Sequence, residues 1–309
     1  MKAIIIETFG GPEVLKLADI PEPTPGADEV LVDIHAASVN PADCRMRDGA
    51  RQNLSGTKFP VRLGRDFSGI VKSVGTGVSD LKVGDAVFGV TEQGKDGTYA
   101  EAITINAAII AKKPDFLSHV EAAALALIGI TALISVEDTL RLKKGEKILI
   151  QGGAGGVGGY AVPLAHHIGA TVYATASARN HDYLKKLGCD RPIDYATEDF
   201  TKIAAGMDCV FDTVGGKVQS RSFDALKSGG RLAWIAGGEE GFKPRSDVTV
   251  LRPNVARDRP HLERVVALAK DKIIVAPPIE TLRLEDAKRA HQLSDAKHVR
   301  GKLVFEVKG

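Results

Sequence analysis

The sequence predicts a mixed α/β fold, with a doubly wound parallel sheet inserted into a β-rich domain built from both chain ends. Three observations carry this. The run from Lys147 to Gly158 reads as a buried strand, a glycine-rich turn and the opening of a helix. Strand signals at 148–150, 171–175, 209–212 and 231–235 alternate with helical stretches, the rhythm of a parallel sheet. Short β signals broken by turns fill the chain before Val120, and a last strand is predicted over 303–307.

The glycine turn is the most specific of these. Gly153, Gly155 and Gly158 have the spacing of a dinucleotide-binding turn. The first glycine permits the tight bend and the second lets the backbone approach a pyrophosphate. The third lets the helix pack against the strand, so that the free N–H groups around Gly156 and Val157 face the anion. Pro163 lies beyond the first turn of this helix, read over 157–168. It removes a backbone hydrogen bond there, and with Gly158 and Gly159 it predicts a kinked or weakened helix.

Elsewhere the elements follow from local pattern. Residues 30–34 alternate apolar and polar, and 68–74 and 86–90 follow as strands, separated by turn chemistry at 21–26 and 75–77. Residues 121–133 form an alanine-rich helical run. Beyond Gly241 the pattern loosens around Pro244 and Pro253. A helix over 261–270, a strand near 273–275 and a helix over 284–293 precede the last strand. The corresponding boundaries are 1–121 and 256–309 for the β-rich domain and 122–255 for the parallel sheet.

Bulk properties narrow the function classes. At 309 residues the chain is long enough for two cores, and 44% apolar with 26% charged residues is ordinary for a globular protein. A net charge of +2 with no block of like charges gives no reason to expect nucleic acid or an anionic membrane as an obligatory partner. The apolar start at residues 3–6 is too short for a signal peptide or a membrane span. Cys44, Cys189 and Cys209 are scattered, which suggests reduced thiols in a cytoplasm.

Several local motifs, in order, resemble the medium-chain dehydrogenase/reductase superfamily. They are Ala37-Ser38-Val39-Asn40-Pro41-Ala42-Asp43, Gly64-Arg65-Asp66-Phe67-Ser68-Gly69 and Val83-Gly84-Asp85-Ala86-Val87-Phe88-Gly89, then Gly97-Thr98-Tyr99-Ala100-Glu101, the glycine turn, Phe211-Asp212-Thr213-Val214-Gly215-Gly216 and Gly301-Lys302-Leu303-Val304. The chain looks most like the zinc-free quinone oxidoreductase (zeta-crystallin-like) and enone reductase branch. The resemblance implies a GroES-like catalytic domain, a Rossmann cofactor domain and a homodimer joined through the cofactor domains.

Two departures from zinc alcohol dehydrogenases follow from that resemblance. Their three catalytic ligands match Asn40, Arg65 and Leu127 here: an amide, a guanidinium and an alkyl chain, which cannot make that site. No metal is therefore expected. An NAD-preferring turn would place a carboxylate near residues 175–180, where this chain has Ser177 and Arg179 instead. Those two suit a 2′-phosphate and point to NADPH. By resemblance Tyr195 and Lys297 approach the same phosphate, with Arg300 close enough to substitute for Lys297. The alternative is an exposed helix start at Arg179, a packing ring at Tyr195 and a solvated charge at Lys297.

For the hydride site, the family uses segments matching Thr213, Val214 and Gly237 along the nicotinamide and its ribose. Thr131 matches a cofactor-contacting threonine, or is a helix residue bonded to its own backbone. Asn40 matches a residue lining the nicotinamide pocket, where it would hydrogen-bond the acceptor carbonyl, or is a turn residue before Pro41. Asp43 and Asp66 line the pocket or pin loops, and Arg45 stands where a relative carries an aromatic residue. Without a Lewis acid the acceptor must already be electron-poor, a quinone or an α,β-unsaturated carbonyl. The alternative function is a catalytically idle NADPH-binding redox sensor or RNA-binding protein. Arg252, Arg257 and Arg259 read as a solvated loop, or as a cluster steering an acidic acceptor or RNA.

Overall fold

Residues 1–50, 58–92 and 95–308 are described by the computed structural model. The chain divides into two units. The first contains Met1–Leu127, Arg257–Lys270 and Ala276–Gly309, and the second contains Ile128–Ala256 with Asp271–Val275.

In the first unit the apolar N-terminal run becomes β1 (Lys2–Ile6), flanked by β2 (Lys16–Asp19). The long β3 (Glu29–Val39) is the spine of a larger sheet. Helix α1 (Pro41–Arg47) follows it, with proline at the helix start where its missing N–H costs nothing. Strands β4 (Val61–Arg62), β5 (Asp66–Val74), β6 (Ala86–Val90), β7 (Ala102–Asn106) and β8 (Ile110–Lys112) complete the N-terminal part. Helix α2 (His119–Leu133) continues in a π-helical segment, Ile134–Thr139. This stretch is apolar and long enough to cross a membrane, but 83% of its most apolar window is buried, as in a core helix.

The second unit alternates strand and helix: β9 (Lys147–Gln151), α3 (Gly156–Ile168), β10 (Thr171–Ala176), α4 (His181–Lys186) and β11 (Arg191–Asp194). Then come α5 (Phe200–Ile203), β12 (Met207–Asp212), α6 (Lys217–Ser222), β13 (Leu226–Trp234) and β14 (Thr249–Leu251). All six strands are parallel, in the order β11-β10-β9-β12-β13-β14. This is the doubly wound dinucleotide-binding order, whose reversal lies between β9 and β12. Buried Leu149, Ile193, Val210 and Leu232 form its core.

The chain then returns to the first unit through α7 (Arg259–Lys270), β15 (Ile279–Arg283), α8 (Ala287–Asp295) and β16 (Lys302–Glu306). Strand β16 pairs antiparallel with β3, bringing both chain ends into one seven-stranded sheet. Its core includes Ile34, Phe67, Tyr99 and Phe305, all fully buried. Burying such a side chain is worth roughly 1.5–3 kcal/mol.

Three expectations are corrected. The strand near 273–275 is a turn and loop, and the strand is β15. Lys272 is left-handed (φ 56°), and Pro277 and Pro278 supply no N–H for a ladder, so pairing starts after them. The helix predicted over 284–293 opens as a 3₁₀ turn, Leu284–Asp286, and is α-helical only in α8. Helix α3, read from the sequence as kinked or weakened at Pro163, is continuous through it. Pro163 sits in a continuous buried stretch from Gly158 to Ala165, and packing on β9 and β10 outweighs one lost bond. The three arginines are not all solvated, although Arg252 lies exposed in a loop. Arg259 donates to Ile110 O (2.8 Å) and Ala107 O and pairs with Asp80, clamping the first unit, whereas Arg252 stacks on Trp234 in the second.

Candidate active site

The glycine turn is held from three sides. Gln151, buried at the end of β9, accepts from Thr175 Oγ1 (2.7 Å) and donates to Ser222 Oγ (3.0 Å). The N–H of Gly152 donates to Thr175 Oγ1 (3.0 Å), and that of Gly153 to Thr175 O (2.9 Å). A Cβ at Gly158 would lie 2.2 Å from the Gly152 carbonyl oxygen, and one at Gly153 would lie 2.8 Å from the Ala174 Cβ. Only glycine lets α3 start so close to the turn. At Gly155 the nearest atom to a Cβ would be 3.4 Å away, so the turn leaves open the space a phosphate takes. Gly156 and Val157 form the first turn of α3, half-exposed, with N–H groups that have no intrahelical acceptor. The turn fits a pyrophosphate.

Strands β10 and β11 are neighbours, with Ala176 opposite Asp194, so Ser177 and Tyr195 leave adjacent strand ends. Ser177 Oγ accepts from Asn180 Nδ2 (3.1 Å). Arg179 is exposed and makes no ion pair among the described residues, and Tyr195 is 60% exposed. Lys297 belongs to the other unit. It is exposed and left-handed (φ 58°) just past α8, a helix-stop position that glycine more often fills.

At the carboxyl ends of β12 and β13, buried Asp212 accepts from the N–H groups of Val214 (2.9 Å) and Gly215 (3.1 Å). Burial raises its pKa and those two donors oppose the rise. Thr213 Oγ1 donates to Gln151 O (2.7 Å), and Val214 beside it is exposed. The Gly216 N–H donates to Gly237 O (2.7 Å), tying the two post-strand segments together. Thr131 is nearly buried in α2, and its carbonyl accepts from Ser135 Oγ (2.6 Å).

The first unit holds a buried polar cluster where β3, β5 and β16 meet. Asp66 accepts from Ser38 Oγ (2.7 Å) and Asn40 Nδ2 (2.9 Å). Lys302 Nζ donates to Asn40 Oδ1 (2.6 Å) and Val39 O (3.0 Å) and lies 3.9 Å from Asp66. Asp43 accepts from the Asn40 N–H (2.9 Å) and Tyr99 Oη (3.1 Å), with Arg65 at 3.8 Å. Two carboxylates and two cations thus share one desolvated cluster. Burial pushes Asp43 up to about 6, Arg65 opposing and Asp66 reinforcing the rise. Burial raises Asp66 and lowers Lys302, each opposed by the other's charge.

This cluster changes the reading of Asn40. Its amide nitrogen donates to Asp66 and Ser38 O (3.3 Å), so both N–H groups turn inward rather than toward an acceptor oxygen. Asn40, Asp43 and Asp66 hold one another in this cluster through these hydrogen bonds. Sequence reasoning missed Ser38, Tyr99 and Lys302 as members. The available signal was Lys302, a lysine beside the apolar run Leu303-Val304-Phe305.

No group of three or more His, Cys, Asp or Glu among the described residues is placed to hold a metal ion. At the zinc-ligand positions, the Asn40 amide is engaged, Arg65 faces Asp43 and Leu127 is aliphatic. Cys44, Cys189 and Cys209 are free and buried, and burial pushes each thiol up to about 12, so all three stay protonated at neutral pH.

The sheet order and the glycine turn define a dinucleotide-binding unit in a chain of two units. Residues 26–115 match the alcohol dehydrogenase GroES-like domain family, and residues 187–305 match the zinc-binding dehydrogenase family. The chain is 32% identical to an NADPH-dependent alkenal/one oxidoreductase of Arabidopsis thaliana, over 98% of this chain and 79% of that protein. Its fold matches the quinone oxidoreductase of Coxiella burnetii (35% identity, TM-score 0.90, 100% and 99% coverage). It also matches the Escherichia coli quinone oxidoreductase solved in complex with NADPH (27%, TM-score 0.91, 99% and 100%). The chain spans only 15% of a Mycobacterium tuberculosis mycocerosic acid synthase-like polyketide synthase and 62% of a Solanum lycopersicum 2-methylene-furan-3-one reductase, to which it is also similar. The chain belongs to the medium-chain dehydrogenase/reductase superfamily, alongside its quinone oxidoreductases and alkenal/one oxidoreductases.

Proposed function

We propose that the chain is a zinc-independent, NADPH-dependent reductase of quinones or α,β-unsaturated carbonyls. The observation that carries this is the glycine turn, open at Gly155, followed by a second strand whose end offers Ser177 and Arg179 and no carboxylate. The names of the relatives support the acceptor class. Gly153 to Gly158 would hold the pyrophosphate, and Ser177, Arg179 and Tyr195 the 2′-phosphate, while the end of α8 accounts for Lys297 locally. Thr213, Val214 and Gly237 would line the nicotinamide half, with Thr131 a further candidate. When bound, NADPH supplies a hydride to the electron-poor carbon, so that enone, NADPH and a proton give saturated carbonyl and NADP. Water, or the cofactor's ribose hydroxyl through Thr131, would supply the proton.

Zinc independence rests on donor chemistry: an engaged amide, an ion-paired guanidinium and an alkyl chain cannot bind the metal. A homodimer and a cytoplasmic setting complete the reading. The test is NADPH oxidation against a panel of quinones, enones and alcohols, before and after dialysis against a strong chelator. Turnover of quinones or enones, unaltered by the chelator, is the expected result. Stoichiometric zinc lost together with activity, or efficient ethanol oxidation, would overturn it.

A further inference from the structure

We propose that Arg252 and Trp234 form a recognition site for a carboxylate on the acceptor, at the carboxyl end of the parallel sheet. The inference rests on the reductase reading, and names a substrate class within it. Strands β13 and β14 are parallel with Ala233 opposite Leu251, so the next residues, Trp234 and Arg252, sit side by side where the sheet ends. The Arg252 guanidinium carbon lies 4.9 Å from the centre of the Trp234 ring. Trp234 is half-buried and Arg252 exposed.

Stacking uses the flat face of a guanidinium and leaves its N–H groups free at the edge. Three other arginines of this unit are committed. Arg231 pairs with Glu146 (2.7 Å), Arg245 with Asp247 (2.6 Å) and Arg221 with Asp199 (2.8 Å). Arg252 has no hydrogen bond and no ion pair among the described residues. A fixed plane with free edge donors is suited to bidentate recognition of a carboxylate.

Position gives this cation its role. In an open parallel sheet ligands bind outside the carboxyl strand ends, and the two halves of a dinucleotide lie on opposite sides of the order reversal. The glycine turn follows β9 and serves the phosphates. Strands β12, β13 and β14 make the other half, where the reductase reading puts the reacting ring. Nearby Gly237, just past β13, has no atom within 4 Å of where a Cβ would stand, so this edge is open.

Trp234 is the only tryptophan of the chain, so its fluorescence reads the site without any cofactor. β-Acetylacrylate, an enone carrying a carboxylate, and its methyl ester would each be titrated into cofactor-free protein. The acid is expected to change Trp234 emission saturably and the ester not to. Arg252→Gln should abolish the response, and Arg252→Lys, which keeps charge without the planar fork, should retain a weakened one. In turnover with NADPH, Arg252→Gln should lower kcat/KM for the acid ~10-fold, equivalent to roughly 1.4 kcal/mol. The ester's kcat/KM and the affinity for NADPH should not move. Equal emission changes with acid and ester, equal loss for both acceptors, or weaker NADPH binding in the variant would overturn the proposal. The two readings fail separately. A wild type that reduces neither enone, yet still responds to the acid only through Arg252, removes the reductase function and leaves the carboxylate site standing.

Discussion

Arg179 and Lys302 are two cations in opposite situations, and the contrast sets what each can do. Arg179 is exposed and unpaired among the described residues, so its removal costs the fold little. If it holds the 2′-phosphate, Arg179→Ala should weaken NADPH at least about tenfold, roughly 1.4 kcal/mol, and leave NADH nearly untouched. Titration of both cofactors checks this, and equal weakening would assign Arg179 a structural role. Lys302 is buried, and its ammonium saturates Asn40 Oδ1 and Val39 O beside Asp66. Lys302→Met strands the Asp66 charge and should cost about 3–5 kcal/mol in urea unfolding. Adding Asp66→Asn should return part of that loss, because the stranded charge is gone. A double variant as unstable as the sum of the singles would show that the two groups are not coupled.

At the scale of elements, the contact between turn and helix is the sharpest test of the nucleotide site. Gly158→Ala would drive a methyl to within 2.2 Å of the Gly152 carbonyl, a backbone atom that cannot swing aside. The change should cost about 1–3 kcal/mol of stability and displace the first turn of α3, so NADPH binding should fall with it. Unaltered melting together with unaltered NADPH affinity would rule out this packing role. The turn was readable because its chemistry is local: strand, glycines and helix follow one another within a dozen residues. Strands β9, β10 and β12 were readable from the short apolar stretches at their centres. Strand β14 has three residues and β11 begins Arg191-Pro192, too little for either periodicity to register. The run 273–276 has strand composition, but the prolines behind it move the pairing to Ile279. The polar cluster was half-legible. Asn40, Asp43, Arg65 and Asp66 fall in recognisable motifs, but Lys302 reaches them from 262 positions away, and no local pattern encodes that meeting.

At the scale of the whole molecule, two buried groups oppose each other in the dependence of stability on pH. His291 is fully buried, with Nδ1 3.1 Å from Arg47 Nη1 and 3.6 Å from Cys44 Sγ. A guanidinium only donates, so Nδ1 accepts and the ring is neutral. Burial, reinforced by the Arg47 charge, lowers its pKa from 6.5 to about 4. As pH falls below 6.5 the unfolded chain takes up a proton that the folded chain refuses until about 4, and stability is lost across that window. Asp43 runs the other way. Burial raises its pKa from 3.8 to about 6, so as pH falls through 6 the folded chain takes the proton first and gains stability until the unfolded carboxyl titrates near 3.8. Each shift is worth ~3 kcal/mol, at roughly 1.4 kcal/mol per pKa unit, so the two contributions largely cancel between pH 6 and 4. Removing either should expose the other. His291→Gln keeps an acceptor for Arg47, and its stability relative to wild type should rise by ~2–3 kcal/mol between pH 7 and 4.5. Asp43→Asn should fall relative to wild type by a similar amount over the same range. Urea unfolding of the three proteins at stepped pH measures both differences. Offsets from wild type that stay constant with pH would mean that neither group carries the assigned shift.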